Sequence, residues 1–146
     1  MRRSSISLAA LLCVSLWSAT SEPKPNRHFV MIVNWQNPMT ELTGPKVKMI
    51  FLRRISRWPW GAETRPMDLT EVSVLRREFT KDLLGTTPAE LAVYWIDQKA
   101  TRNVDPPEIV PTVEAVKAIV AAQPGAIAYI PTSALDNTVK LLEIVR

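Results

Sequence analysis

A single cysteine and a single histidine in 146 residues leave little room for several kinds of chemistry. One cysteine forms no internal disulfide, and one histidine beside one cysteine builds no His–His or Cys/His metal cluster. Only four glycines are present, against twelve prolines. No Gly-rich phosphate loop of the Gly-Lys-Ser/Thr type occurs, nor a Gly-x-Ser-x-Gly elbow. His28 has no catalytic partner in sequence, so the chain reads as a non-enzyme without metal or cofactor. Beyond the N-terminus, no run approaches the 18 apolar residues of a membrane-spanning helix.

What is present is enough for one core: 47% hydrophobic and 22% charged residues over a single-domain length. Arg2-Arg3, an apolar run from Ile6 to Trp17 and the small residues Ser18-Ala19-Thr20-Ser21 have the layout of a signal peptide. We expect residues 1–21 to be cleaved and the protein to reach the periplasm. Cleavage removes Arg2, Arg3 and Cys13, so the formal charge of +4 falls by two. That is too small an excess to argue for nucleic acid.

Residues 22–28 read as a polar, flexible tail, and residues 29–146 as one α/β domain. Phe29 to Asn34 is a strand buried on both faces. Thr43 and Pro45 open a helix near 45–53, and residues 64–69 form a short strand. Val72, Leu75, Phe79 and Leu83 predict a helix over 72–84 with Gly85 ending it. Thr87-Pro88-Ala89-Glu90 is a capping box for a helix to about Gln98. Residues 99–111 read as a stiff loop, Thr112 caps one more helix, and residues 126–130 and 139–145 are the last strands.

Three features invite a functional reading. Arg53, Arg54 and Arg57 alternate with Trp58 and Trp60, a pattern suited to an anionic membrane surface. The competing reading, which we favour, makes Trp58 a core anchor with solvated arginines. Ser73 and Thr70 stand where a helix begins, so a hydroxyl there is either a simple cap or part of an oxyanion site. Asp97, Asp105 and Glu108 lack the alternation of a Ca²⁺ loop and read as solvated charges.

Three stretches carry a family likeness: Met49-Ile50-Phe51-Leu52-Arg53-Arg54-Ile55 followed by Trp58; Val74-Leu75-Arg76-Arg77-Glu78-Phe79 with Leu83-Leu84-Gly85; and Gln123-Pro124-Gly125-Ala126-Ile127-Ala128-Tyr129-Ile130. Over about residues 29–145 the chain resembles the substrate-binding proteins of phosphate ABC transporters, and among them short, single-lobe exported relatives. The resemblance implies one periplasmic-binding-protein-like lobe, a mixed β-sheet flanked by helices. Full-length members clamp an anion between two such lobes. It also implies inorganic phosphate or another oxyanion as ligand, and transporter membrane components or another periplasmic protein as partner. The family's phosphate loop, Arg-Ser-Asp-Gly-Ser-Gly-Thr, aligns with Leu69-Thr70-Glu71-Val72-Ser73-Val74-Leu75. Ser73 matches, Glu71 replaces the aspartate, and the arginine, both glycines and the threonine are absent. The implied site is therefore Ser73 and Thr70, with Arg76 or Arg77 supplying charge and Asn34 at the first strand's end. A periplasmic interaction module that kept the fold and lost the ligand is the alternative.

Overall fold

The computed structural model describes residues 26–146. The expected signal peptide at 1–21, and residues 22–25 of the expected tail, lie outside the described residues. Six strands form one mixed sheet: β1 (Phe29–Val33), β2 (Glu41–Thr43), β3 (Arg65–Asp68), β4 (Glu108–Ile109), β5 (Ala126–Pro131) and β6 (Lys140–Val145). Their spatial order is β2-β6-β1-β5-β3-β4. The central strand β1 runs antiparallel to both β5 and β6, whereas β3 runs parallel to β5. Helices α1 (Gly44–Phe51), α2 (Val74–Phe79), α3 (Pro88–Arg102) and α4 (Val113–Ala122) flank this sheet. The α/β fold expected from the sequence is the one observed. Among the described residues, no helix is long and apolar enough to cross a membrane.

The apolar run of β1 earns its central place, since Phe29, Met31, Ile32 and Val33 are all buried. Against it, Phe79 stacks on Tyr129 with ring centroids 4.0 Å apart, and Phe29 and Phe51 close the same aromatic cluster. Such ring pairs add to the burial of their area and fix geometry. Trp58 is the expected core anchor: it is buried, and its Nε1 donates to the Gly125 carbonyl at 2.9 Å. Around it, Arg53 and Arg57 donate to the carbonyls of Thr64 and Gly61, and Arg54 lies over the Tyr94 ring.

The helix expected over 72–84 starts two residues later. Ser73 takes an extended conformation and caps α2, which leaves Val72 outside the helix and 83% exposed. The chain then continues as a π-helical turn, Thr80–Leu84, and stops at Gly85 with φ 65. The capping box at Thr87 and Glu90 forms in full, but α3 runs past Gln98 to Arg102. Its end is Asn103 in the left-handed region, φ 52. Strands β2 and β4 were not expected; with three and two residues they carry no period and exist only by pairing with β6 and β3.

Candidate functional site

The segment between β3 and α2 carries the sequence-expected site. β3 ends at Asp68, whose carboxylate is buried and receives three donors. They are the Tyr129 hydroxyl, the Leu69 amide at 2.9 Å and the Arg76 Nε at 3.1 Å. Burial pushes the Asp68 carboxyl above its usual range, against the pull of Tyr129, Arg76 and Leu69. Burial and the Asp68 charge push the Tyr129 hydroxyl far upward, so it stays protonated and donates.

From that anchor the chain turns at residues 70–73, with the Ser73 amide donating to the Thr70 carbonyl at 3.0 Å. The Ser73 hydroxyl oxygen then accepts from the Arg76 amide at 3.3 Å, and its carbonyl from the Arg77 amide at 3.3 Å. Ser73 is thus an N-cap. The amides of Val74 and Leu75, which precede the first intrahelical bonds, form the positive end of the turn. Arg77 is exposed one turn beyond Ser73 on the same helix face. Arg76 is turned inward, buried against Asp68.

Thr70, Ser73, Arg76 and Arg77 therefore form one unit, in which Thr70 and Ser73 are half-buried, Arg77 is exposed beside the exposed Glu71 carboxylate, and Arg76 is buried. Thr70 contributes its carbonyl. Val72 and Val74, 83% and 68% exposed, flank Ser73.

Asn34 is not part of this unit. The registers pair Val33 with Ile127 and Phe29 with Pro131, while β3 leaves the sheet at the Pro131 end of β5. Asn34 thus lies at the opposite end of the sheet, about 15 Å away at ~3.3 Å per residue. Its Nδ2 donates to the carbonyls of Val120 and Ala121, and its Oδ1 accepts from the Gln36 amide. It closes the C-terminal turn of α4.

Sequence reasoning missed Asp68 and Tyr129. The only available signal was an aspartate at the end of an apolar strand, which solvent would ordinarily claim. No group of three or more His, Cys, Asp or Glu side chains stands ready for a metal among the described residues.

Comparison with known proteins bears on the fold. No protein-family model matches the chain, and no curated protein does. Solved structures do. An ABC-type phosphate transport receptor from Vibrio cholerae superposes with a TM-score of 0.64 at 20% identity, over 80% of this chain and 46% of that one. A putative phosphate ABC transporter substrate-binding protein with bound phosphate, from Clostridium perfringens, gives 0.64 at 21%, over 80% and 44%. PstS from Borrelia burgdorferi gives 0.63 at 14%, over 80% and 47%. What they share with this chain is the fold. The chain spans less than half the length of each of these proteins, so the likeness is to a fragment of a receptor.

Proposed function

We propose that this chain is an exported, non-enzymatic binding module: a single lobe that takes phosphate or a related oxyanion at the 69–77 turn. In this reading the Ser73 hydroxyl and the Val74 and Leu75 amides hold the oxygens, and Arg77 balances the charge. It works in the periplasm beside the membrane components of an ABC-type transporter. The observation that carries it is the half-buried Ser73 cap that follows β3, in a lobe whose fold neighbours are named for phosphate.

The test is thermal stability of the purified protein against phosphate, sulfate and other oxyanions at matched ionic strength. A ligand at 100 times its Kd adds about 2.7 kcal/mol, several degrees for a domain of this size. A selective phosphate shift that Ser73→Ala abolishes supports the reading. A shift that survives Ser73→Ala overturns the placement.

A second reading has its own support. Arg76 is committed to Asp68, and valine side chains stand on both sides of Ser73. Those features suit a periplasmic interaction module that kept the fold without the ligand. It predicts no response to any oxyanion, and a protein partner recovered by crosslinking in the native periplasm.

A further inference from the structure

A cleft that shares no residue with the 69–77 turn opens where the C-terminal turn of α1 faces the start of α3. Its volume is about 270 Å³, just below the range of drug-sized sites, which suits a smaller molecule. Leu52, Leu84, Leu91 and Tyr94 give it an apolar floor. Leu84 and Leu91 belong to the core, and the Tyr94 hydroxyl donates to the Leu52 carbonyl at 3.0 Å, which fixes the ring.

Charges of both signs stand around that floor. Lys48 and Arg54 line the cleft, and neither pairs with a carboxylate among the described residues. Arg54 is exposed, its guanidinium carbon 5.8 Å from the centre of the Tyr94 ring. The Lys48 Nζ lies beside Gly85, where an added Cβ would meet it at 3.8 Å. Glu90 is the one carboxylate in the lining. Its Oε2 is committed to the capping box, accepting from the Thr86 and Thr87 hydroxyls and the Thr87 amide. Its Oε1 accepts no hydrogen bond among the described residues. A carboxylate oxygen and two cations thus face one apolar floor without satisfying one another.

A simple anion meets the Glu90 carboxylate here, and a simple cation meets Lys48 and Arg54. A molecule that carries both charges answers both. We propose that this cleft binds an aliphatic α-amino acid as its zwitterion. The carboxylate sits on Lys48 and Arg54, the ammonium on Glu90 Oε1, and the side chain against Leu52, Leu84, Leu91 and Tyr94. Charge-assisted hydrogen bonds orient the two heads, and burial of the aliphatic body adds to them. The inference uses no residue of the 69–77 turn, so it stands or falls apart from the reading of that turn.

The test is calorimetric titration of the full chain with leucine, isocaproate and isoamylamine at one ionic strength. The three share one aliphatic body and carry both charges, the carboxylate alone and the ammonium alone. We expect leucine to bind at least tenfold more tightly than either analogue. Glutamine also serves in a capping box, so Glu90→Gln keeps the fold while removing the charge. It should bring leucine down to the level of isocaproate. Lys48→Met and Arg54→Gln, with circular dichroism confirming the fold, should each weaken leucine at least tenfold. Ser73→Ala should leave leucine binding unchanged, even where it abolishes a phosphate response. Either analogue binding as tightly as leucine, a Glu90→Gln protein that still prefers leucine, or indifference to the Lys48 and Arg54 substitutions overturns the inference. So does the absence of leucine binding.

Discussion

The two ends of the sheet use their polar residues in opposite ways. At the Asn34 end, donors are turned onto backbone carbonyls: Asn34 onto Val120 and Ala121, Trp35 onto Asn137, and Lys140 onto Asn37. The C-terminus of α4 presents its carbonyls there, the negative end of its dipole. Most of the polar side chains there are thus turned onto the chain's own backbone. At the Ser73 end one buried ion pair, Asp68 with Arg76, takes up the strong charges. Arg77, one turn into α2, stays exposed. The difference separates the turn at Ser73 from the strand end at Asn34, whose side chain is taken up by α4 carbonyls. A residue brought near a ligand by family likeness acts there only if its own hydrogen bonds leave it free.

The largest effect expected from breaking this contrast is at the buried pair. Arg76→Ala leaves the Asp68 carboxylate buried beside one neutral hydroxyl and one amide. It should cost about 4 kcal/mol in urea unfolding. Replacing both partners, Asp68→Asn with Arg76→Met, should recover much of that loss. A single substitution costing less than the double would show that the pair does not hold this end.

Next comes Gly125, at the Asn34 end. Its carbonyl accepts from both Trp58 Nε1 and the Arg65 amide, and an added Cβ would stand 2.1 Å from the Glu63 carbonyl oxygen. Gly125→Ala must push β3 and β5 apart, at about 3 kcal/mol. Asn34→Ala, which strips the Val120 and Ala121 carbonyls of their donor, should cost about 2 kcal/mol. It should leave every anion response unchanged. An anion response lost with Asn34 would bring the two ends back together.

Acid should move the two ends in opposite directions. Asp136, near the Asn34 end, is held at about 2 by Lys117 and Thr138. Its stabilising contribution is present above the ordinary 3.8 and is lost as pH falls toward 2. Asp68 is raised above 3.8, chiefly by burial. Its ionised form therefore weighs against folding at neutral pH, and that penalty is relieved as pH falls through its raised value toward 3.8. Urea midpoints between pH 7 and pH 2.5 should show wild type gaining on Asp68→Asn and losing to Asp136→Asn. Slopes of the same sign would refute the contrast.

How much of this was legible follows from the range of the signals. The capping box at Thr87 and Glu90, the cap at Thr112 and the buried run of β1 are local patterns, and each appears where expected. The start of α2 was misplaced because Val72 fits the apolar spacing, while the backbone turn that excludes it depends on Thr70 accepting from Ser73. Asp68 and Tyr129 are 61 residues apart and meet only because β3 and β5 lie side by side. No local pattern reports such a pair, nor that Arg76 is drawn inward by it. Asn34 was legible as a strand end but not as the cap of α4, 86 residues away.

The smallest effect is the most discriminating. Ser73→Ala removes a side-chain cap whose bond to the Arg76 amide is 3.3 Å long, and should cost about 1 kcal/mol. That loss is expected whether or not an anion binds, so by itself it says nothing of function. Ser73→Asp separates the two roles. Aspartate caps as well as serine and suits the positive helix start, so stability should return to within a few tenths of a kcal/mol of wild type. Its carboxylate, however, occupies and repels the very position an oxyanion would take. A protein as stable as wild type whose melting temperature no longer responds to phosphate would make Ser73 a ligand-binding residue. One that still responds would leave it a cap.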